Sequence, residues 1–105
     1  MVSESVSGTT TNEYVESVVS EMSHKEWFHG VVKNTGDTNA MKYKVVGKLS
    51  ATGTATVDIV TETEIVAGAT AEIKVGPAKW FEITTTVKSS VAGSHTTFVA
   101  EWIDG

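Results

Sequence analysis

The segment from Met41 to Lys48 places the strongest constraint on the fold. Met41, Tyr43 and Val45 alternate with Lys42, Lys44 and Val46, a period of two that puts one set on each side of an extended backbone. A helix would scatter the lysines around its circumference, whereas a strand gathers Lys42, Lys44 and Lys48 on one face. Leu49 extends the inward set, and Gly47 interrupts it as a bulge would.

The same alternation recurs in Ala55, Val57 and Ile59, in Ala71, Ile73 and Val75, in Phe81, Ile83, Thr85 and Val87, and in Phe98, Ala100 and Trp102. Asn34-Thr35-Gly36-Asp37, Ala51-Thr52-Gly53, Ala67-Gly68, Gly76-Pro77 and Ala92-Gly93-Ser94 separate these runs as turns. Upstream, residues 13–22 alternate as Tyr14, Glu16, Val18, Ser20 and Met22, and residues 24–33 read as a buried strand. The β-branched Thr and Val that fill these segments suit a pleated surface better than a helix. About seven strands at intervals of roughly 8 to 14 residues predict an all-β Greek-key sandwich spanning 13–105. Residues 1–12, MVSESVSGTTTN, are polar and small apart from Val2 and Val6, and are expected to form an extended N-terminal arm that adds as a strand to the sheet of a neighbouring subunit, with Val2 and Val6 as interface anchors.

Composition narrows the function. A chain of 105 residues holds one core. With no cysteine, disulfides, thiolate metal sites and thiol nucleophiles are excluded. The balance is 8 Lys+Arg against 13 Asp+Glu, a net charge of −5, and every cation is lysine. Arginine is the usual bidentate reader of phosphate and guanine, so a nucleic-acid partner is not expected. Apolar runs are too short to span a bilayer, and no secretory leader is expected after Met1, so no membrane partner is expected either.

Candidate chemistry reduces to a few side chains. His24 and His29 stand five apart and point to opposite faces of a strand, which does not suit a shared metal. Ser94-His95 lies in a turn without the strand-to-helix elbow of a nucleophile. Glu62 and Glu64 share a face that reads as solvated. Asn34, Asp37 and Asn39 are better explained as turn residues than as a calcium loop. No cofactor and no catalysis are expected.

Surface features point instead to protein contacts. Trp27 and Trp102 are expected in the core, while Trp80, beside an inward Phe81, is expected to present its indole outward as an interface residue. Lys42, Lys44 and Lys48 read either as protection of an edge strand or as a stripe complementary to Glu13, Glu16 and Glu21 of another copy.

Three segments, VKNTGD at 32–37, EIVAGATAEIKV at 64–75 and WFEITTTVKSSVAGSHTTFVAEWI at 80–103, together resemble a bacterial adhesion-type immunoglobulin-like domain. The last also looks like the closing hairpin of small β-sandwich proteins from the structural gene clusters of tailed phages. The resemblance covers about seventy residues, leaves out the first thirty and carries over no catalytic residue. It implies an immunoglobulin-like sandwich acting as a virion structural protein: a capsid decoration subunit, a head or tail adaptor, or a fibre-associated module. Its partners would be other capsid or tail proteins and further copies of itself. The alternative is an extracellular adhesion module that binds carbohydrate or protein.

Overall fold

The computed structural model describes residues 2–76 and 80–105, with side chains from residue 5 onward. Among the described residues there are eight strands, not seven: β1 (Val2–Thr9), β2 (Val15–Glu21), β3 (Phe28–Asn34), β4 (Met41–Lys48), β5 (Val57–Ile65), β6 (Thr70–Val75), β7 (Glu82–Ser89) and β8 (Thr97–Asp104). The extra strand is the segment expected to be an arm. Val2–Thr9 pairs antiparallel with β8 in unbroken register, from Val2↔Asp104 to Thr9↔Thr97. Its partner strand lies in its own chain, so the boundary expected at residue 13 does not separate an arm from a sandwich.

The strands form two four-stranded sheets, ordered β1-β8-β3-β6 and β2-β7-β4-β5. β1 lies beside β8, β2 beside β7, β3 beside β6 and β4 beside β5. This is one long antiparallel hairpin folded at the β4–β5 turn and then rolled, and every connection except that turn crosses between sheets. Two sheets of this order are a jelly roll. The immunoglobulin-like expectation is therefore corrected, because in that fold the first two strands are neighbours in one sheet, whereas here they lie in different sheets.

Alternation sets what each strand buries. Met41, Tyr43 and Val45 from β4, Ile83, Thr85 and Val87 from β7, and Phe98, Ala100 and Trp102 from β8 all face inward, joined by Val18, Phe28, Val32, Ile73 and Val75. These side chains form one core between the sheets. Four expectations fail near strand ends. Leu49 lies past the last pair of β4 and is 72% exposed. Gly47 marks no bulge: the β4–β5 register shifts between Tyr43 and Val46, while Gly47 leaves room for Trp80, whose Cε3 would stand 2.4 Å from any Cβ there. Trp80 thus turns inward against the core. Trp27, expected inside, is 38% exposed and packs over Gly105.

Polar side chains close one end of the sandwich. Asn34, at the end of β3, is fully buried and uses its whole amide: Nδ2 donates to the carbonyls of Asn39 (2.9 Å) and Ile65 (3.0 Å). Its Oδ1 accepts from the Gly36 amide (3.0 Å) and the Thr96 hydroxyl (2.8 Å). Asn34 therefore holds the 34–37 turn, the end of β5 and the entry to β8 together, and its oxygen is committed to this network, as the turn reading expected.

Candidate assembly surface

A two-sheet sandwich has four free edges, and a free edge exposes unpaired amides and carbonyls to any passing strand. Three are defended by their own sequence. β2 shifts register between Glu16 and Val18. β5 shifts twice against β4 and carries Asp58, Glu62 and Glu64 along its length. β6 has only 6 residues, with Glu72 and Lys74 exposed on it. The fourth edge, β1, has 8 residues, no register shift, no lysine and no proline, and Glu4 is its one charge.

The direction of the β1 hydrogen bonds follows from its end. The Thr10 amide donates to the Thr96 carbonyl (2.8 Å), continuing the β1–β8 register. In an antiparallel ladder the backbone groups of successive residues face opposite sides. Even-numbered residues therefore bond to β8, and Ser3, Ser5, Ser7 and Thr9 turn their N–H and C=O groups to the open side. Val6 packs inward against the core, and Ser5, Ser7 and Thr9 project from the outer face. The side chain of Val2, expected as the second anchor, lies outside the described residues. β1 is thus fixed by its main-chain ladder, by Val6 and by buried Thr10, whose hydroxyl bonds Ser89 Oγ (2.8 Å) and the Thr96 amide (2.9 Å).

The lysine stripe lies on the outer face of the other sheet, on a strand flanked by β7 and β5, so the edge-protection reading does not apply. Each lysine has a partner within the chain. Lys42 Nζ is 3.1 Å from a Glu62 oxygen, and Lys48 Nζ is 4.0 Å from Glu82. Lys44 Nζ sits 4.6 Å from the Tyr14 ring centre, with Lys88 on the same ring at 5.5 Å. The Tyr14 hydroxyl donates to Glu62 (2.6 Å). That bond, with Lys42 beside it, lowers the Glu62 carboxyl below its ordinary range, while desolvation and the Glu62 charge raise the Tyr14 hydroxyl. On the opposite sheet, hydrogen bonding from His29 (2.8 Å), then Lys74, lowers Glu72.

The sequence sets Ser94 beside His95, but in the fold it is Ser89 Oγ that meets His95 Nδ1 (2.7 Å), a contact across the last turn that sequence spacing does not reveal. Ser89 is buried and shares its hydroxyl with Thr10 while His95 is exposed, so the contact ties the surface turn before β8 to the end of β1. Among the described residues no group of three or more His, Cys, Asp or Glu converges as a metal site, and no helix is long and apolar enough to cross a membrane.

No protein-family model matches the chain. No curated protein matches it in sequence either. Solved structures do resemble it. PirA superposes with a TM-score of 0.75 at 9% identity, over 94% of this chain and 93% of that one. A protein of the Bacillus endospore appendages, which form disulfide-linked pili, gives 0.59 at 18%, over 96% and 82%. VP2 of the infectious bursal disease virus subviral particle gives 0.52 at 10%, over 99% of this chain and 32% of that one. At such identities the likeness is one of fold. The neighbours include components of assembled pili and virus particles.

Proposed function

We propose that this chain is a non-enzymatic structural subunit of a virion, in a decoration, adaptor or fibre-associated position, and that it binds neighbouring protein subunits. The observation that carries the reading is the β1 edge, a regular strand left without the bulges, lysines or short length that keep the other edges from pairing. Strand addition at such an edge supplies affinity through main-chain hydrogen bonds and asks little of the side chains. The jelly roll supports the reading, since the fold recurs in virus particles.

The likeness to the endospore appendage protein favours a second setting, an extracellular appendage. Cross-links like those of the disulfide-linked pili are closed to a chain without cysteine, so its contacts would have to hold without disulfides. Mass spectrometry of purified virions and of sheared surface appendages from the producing cells tests both settings. The intact chain should be recovered at near-stoichiometric amounts in one of them. Recovery only from the unassembled soluble fraction would refute the proposal.

A further inference from the structure

We infer that the strand accepted by the β1 edge is β1 of a second copy, paired antiparallel about a two-fold axis at Val6. The inference rests on the assembly reading above and names its partner.

Hydrogen-bond phase limits the choices. Ser3, Ser5, Ser7 and Thr9 hold the outward-facing backbone groups, as fixed by the Thr10 amide's bond to Thr96. A two-fold pairing must set outward-facing residues opposite one another, so the two residue numbers in a pair sum to an even value. A pairing centred on Val6 puts Ser5 opposite the partner's Ser7 and Ser3 opposite the partner's Thr9. Each match occurs twice by symmetry, giving about eight main-chain hydrogen bonds. Centring on Ser5 loses one match and leaves about six. Centring on Glu4 keeps only the match of Ser3 with the partner's Ser5 among the described residues, leaving about four.

The Val6-centred register also agrees with the side chains. Val6 meets the partner's Val6 at a non-hydrogen-bonded site, where opposing side chains come closest, and both lie on the inward face that each core already covers. Glu4 stands opposite the partner's Gly8, so the strand's one charge meets no like charge although each copy carries a net −5. On the outer face the Ser5 hydroxyl comes opposite the partner's Ser7 hydroxyl. The result is a continuous eight-stranded sheet, β6-β3-β8-β1 followed by the same order reversed, in which neither copy keeps an open β1 edge.

Two single-site variants of the full chain test the pairing. Val6→Cys introduces one thiol into a chain that has none. Under mild oxidation it should form a covalent dimer at least tenfold faster than Thr9→Cys, because only position 6 faces its own copy. Ser7→Pro removes an outward-facing amide and leaves the β1–β8 bonds in place, as proline is tolerated where an edge strand faces solvent. Light scattering should show the 11.2 kDa chain associating as wild type and remaining monomeric as Ser7→Pro, at least tenfold weaker in self-association, with an unchanged circular dichroism spectrum. Should Ser7→Pro misfold, Ser5→Pro tests the same match from its other side. Equal oxidation at positions 6 and 9, or self-association that survives both proline variants, would overturn the pairing. So would a wild type monomeric at all concentrations. If such a chain were still present in purified particles, the assembly reading would stand and only the identity of the neighbour would fall.

Discussion

Replacing Asn34 with alanine should destabilise the protein more than any other single polar substitution at the closed end. The side chain is fully buried and makes four hydrogen bonds. Two of its partners, the Ile65 carbonyl and the Thr96 hydroxyl, lie in bonds that are themselves buried. Stranding a buried polar group costs about 1–3 kcal/mol. The Asn39 carbonyl and Gly36 amide are only partly buried, so water can replace the amide for about half a kcal/mol each. The sum is roughly 3–7 kcal/mol, which for a domain of this size lowers the thermal midpoint by at least about 12 °C. Urea titration followed by circular dichroism measures it, with the slope unchanged if the unfolded state is unaffected. Asn34→Asp sharpens the argument. It keeps both acceptor roles but sets an oxygen against the two carbonyls that Nδ2 now satisfies, so its carboxyl should have a raised folded-state pKa. A raised pKa stabilises the fold at pH values below it and loses that contribution as pH rises. The variant should therefore be at least as unstable as Asn34→Ala at neutral pH and recover relative to wild type below about pH 4. A loss under about 1 kcal/mol for Asn34→Ala would refute the reasoning, because water would then be replacing the whole amide.

Gly47→Ala forces a Cβ within 2.4 Å of the Trp80 ring and 2.9 Å of Ile59 Cδ1, and should cost about 1–3 kcal/mol with a shift in tryptophan emission. Gly93→Ala meets open space but sits at φ +81°, so a loss of about 1 kcal/mol from backbone strain alone is expected in a thermal melt. Tyr14→Phe removes the first cause of the lowered Glu62 carboxyl, and NMR titration should show Glu62 moving back toward its ordinary range. Glu21, Glu62 and Glu72 all have folded-state pKa values below the unfolded ones, so their contribution is present above the unfolded carboxylate range and lost as pH falls through the folded values. Stability should fall on acidification below about pH 4.5, less steeply in Glu62→Gln than in wild type.

Much of the sandwich was legible in the chain. The inward sets of β4, β7 and β8 were readable because a pleated strand with one wet face must alternate, and Met41, Tyr43, Val45, Ile83, Val87, Phe98 and Trp102 are all buried. What alternation cannot encode is the neighbour. An immunoglobulin-like sandwich and a jelly roll use the same local grammar, and only the order of the strands separates them. β1 escaped because its hold is mostly main chain: Ser, Gly and Thr make a ladder as well as Val does, but leave little apolar signal. The tryptophans exchanged places for a local reason. Gly47 opens a socket on the opposing strand that Trp80 fills, a relation between residues 33 positions apart that no short window contains. The lysine stripe was readable as a face, but its pairing with Glu62, Glu82 and Tyr14 depends on which strands flank β4.

The pairing of Val2 with Asp104 brings the two ends of the described chain side by side, at the pole of the barrel away from Asn34. A few glycine residues would span them, so a circularly permuted gene reopened at the exposed Gly93 turn should encode the same tertiary structure. Cargo fused to either end would leave from one pole, and the strand flanks would stay clear for lateral growth.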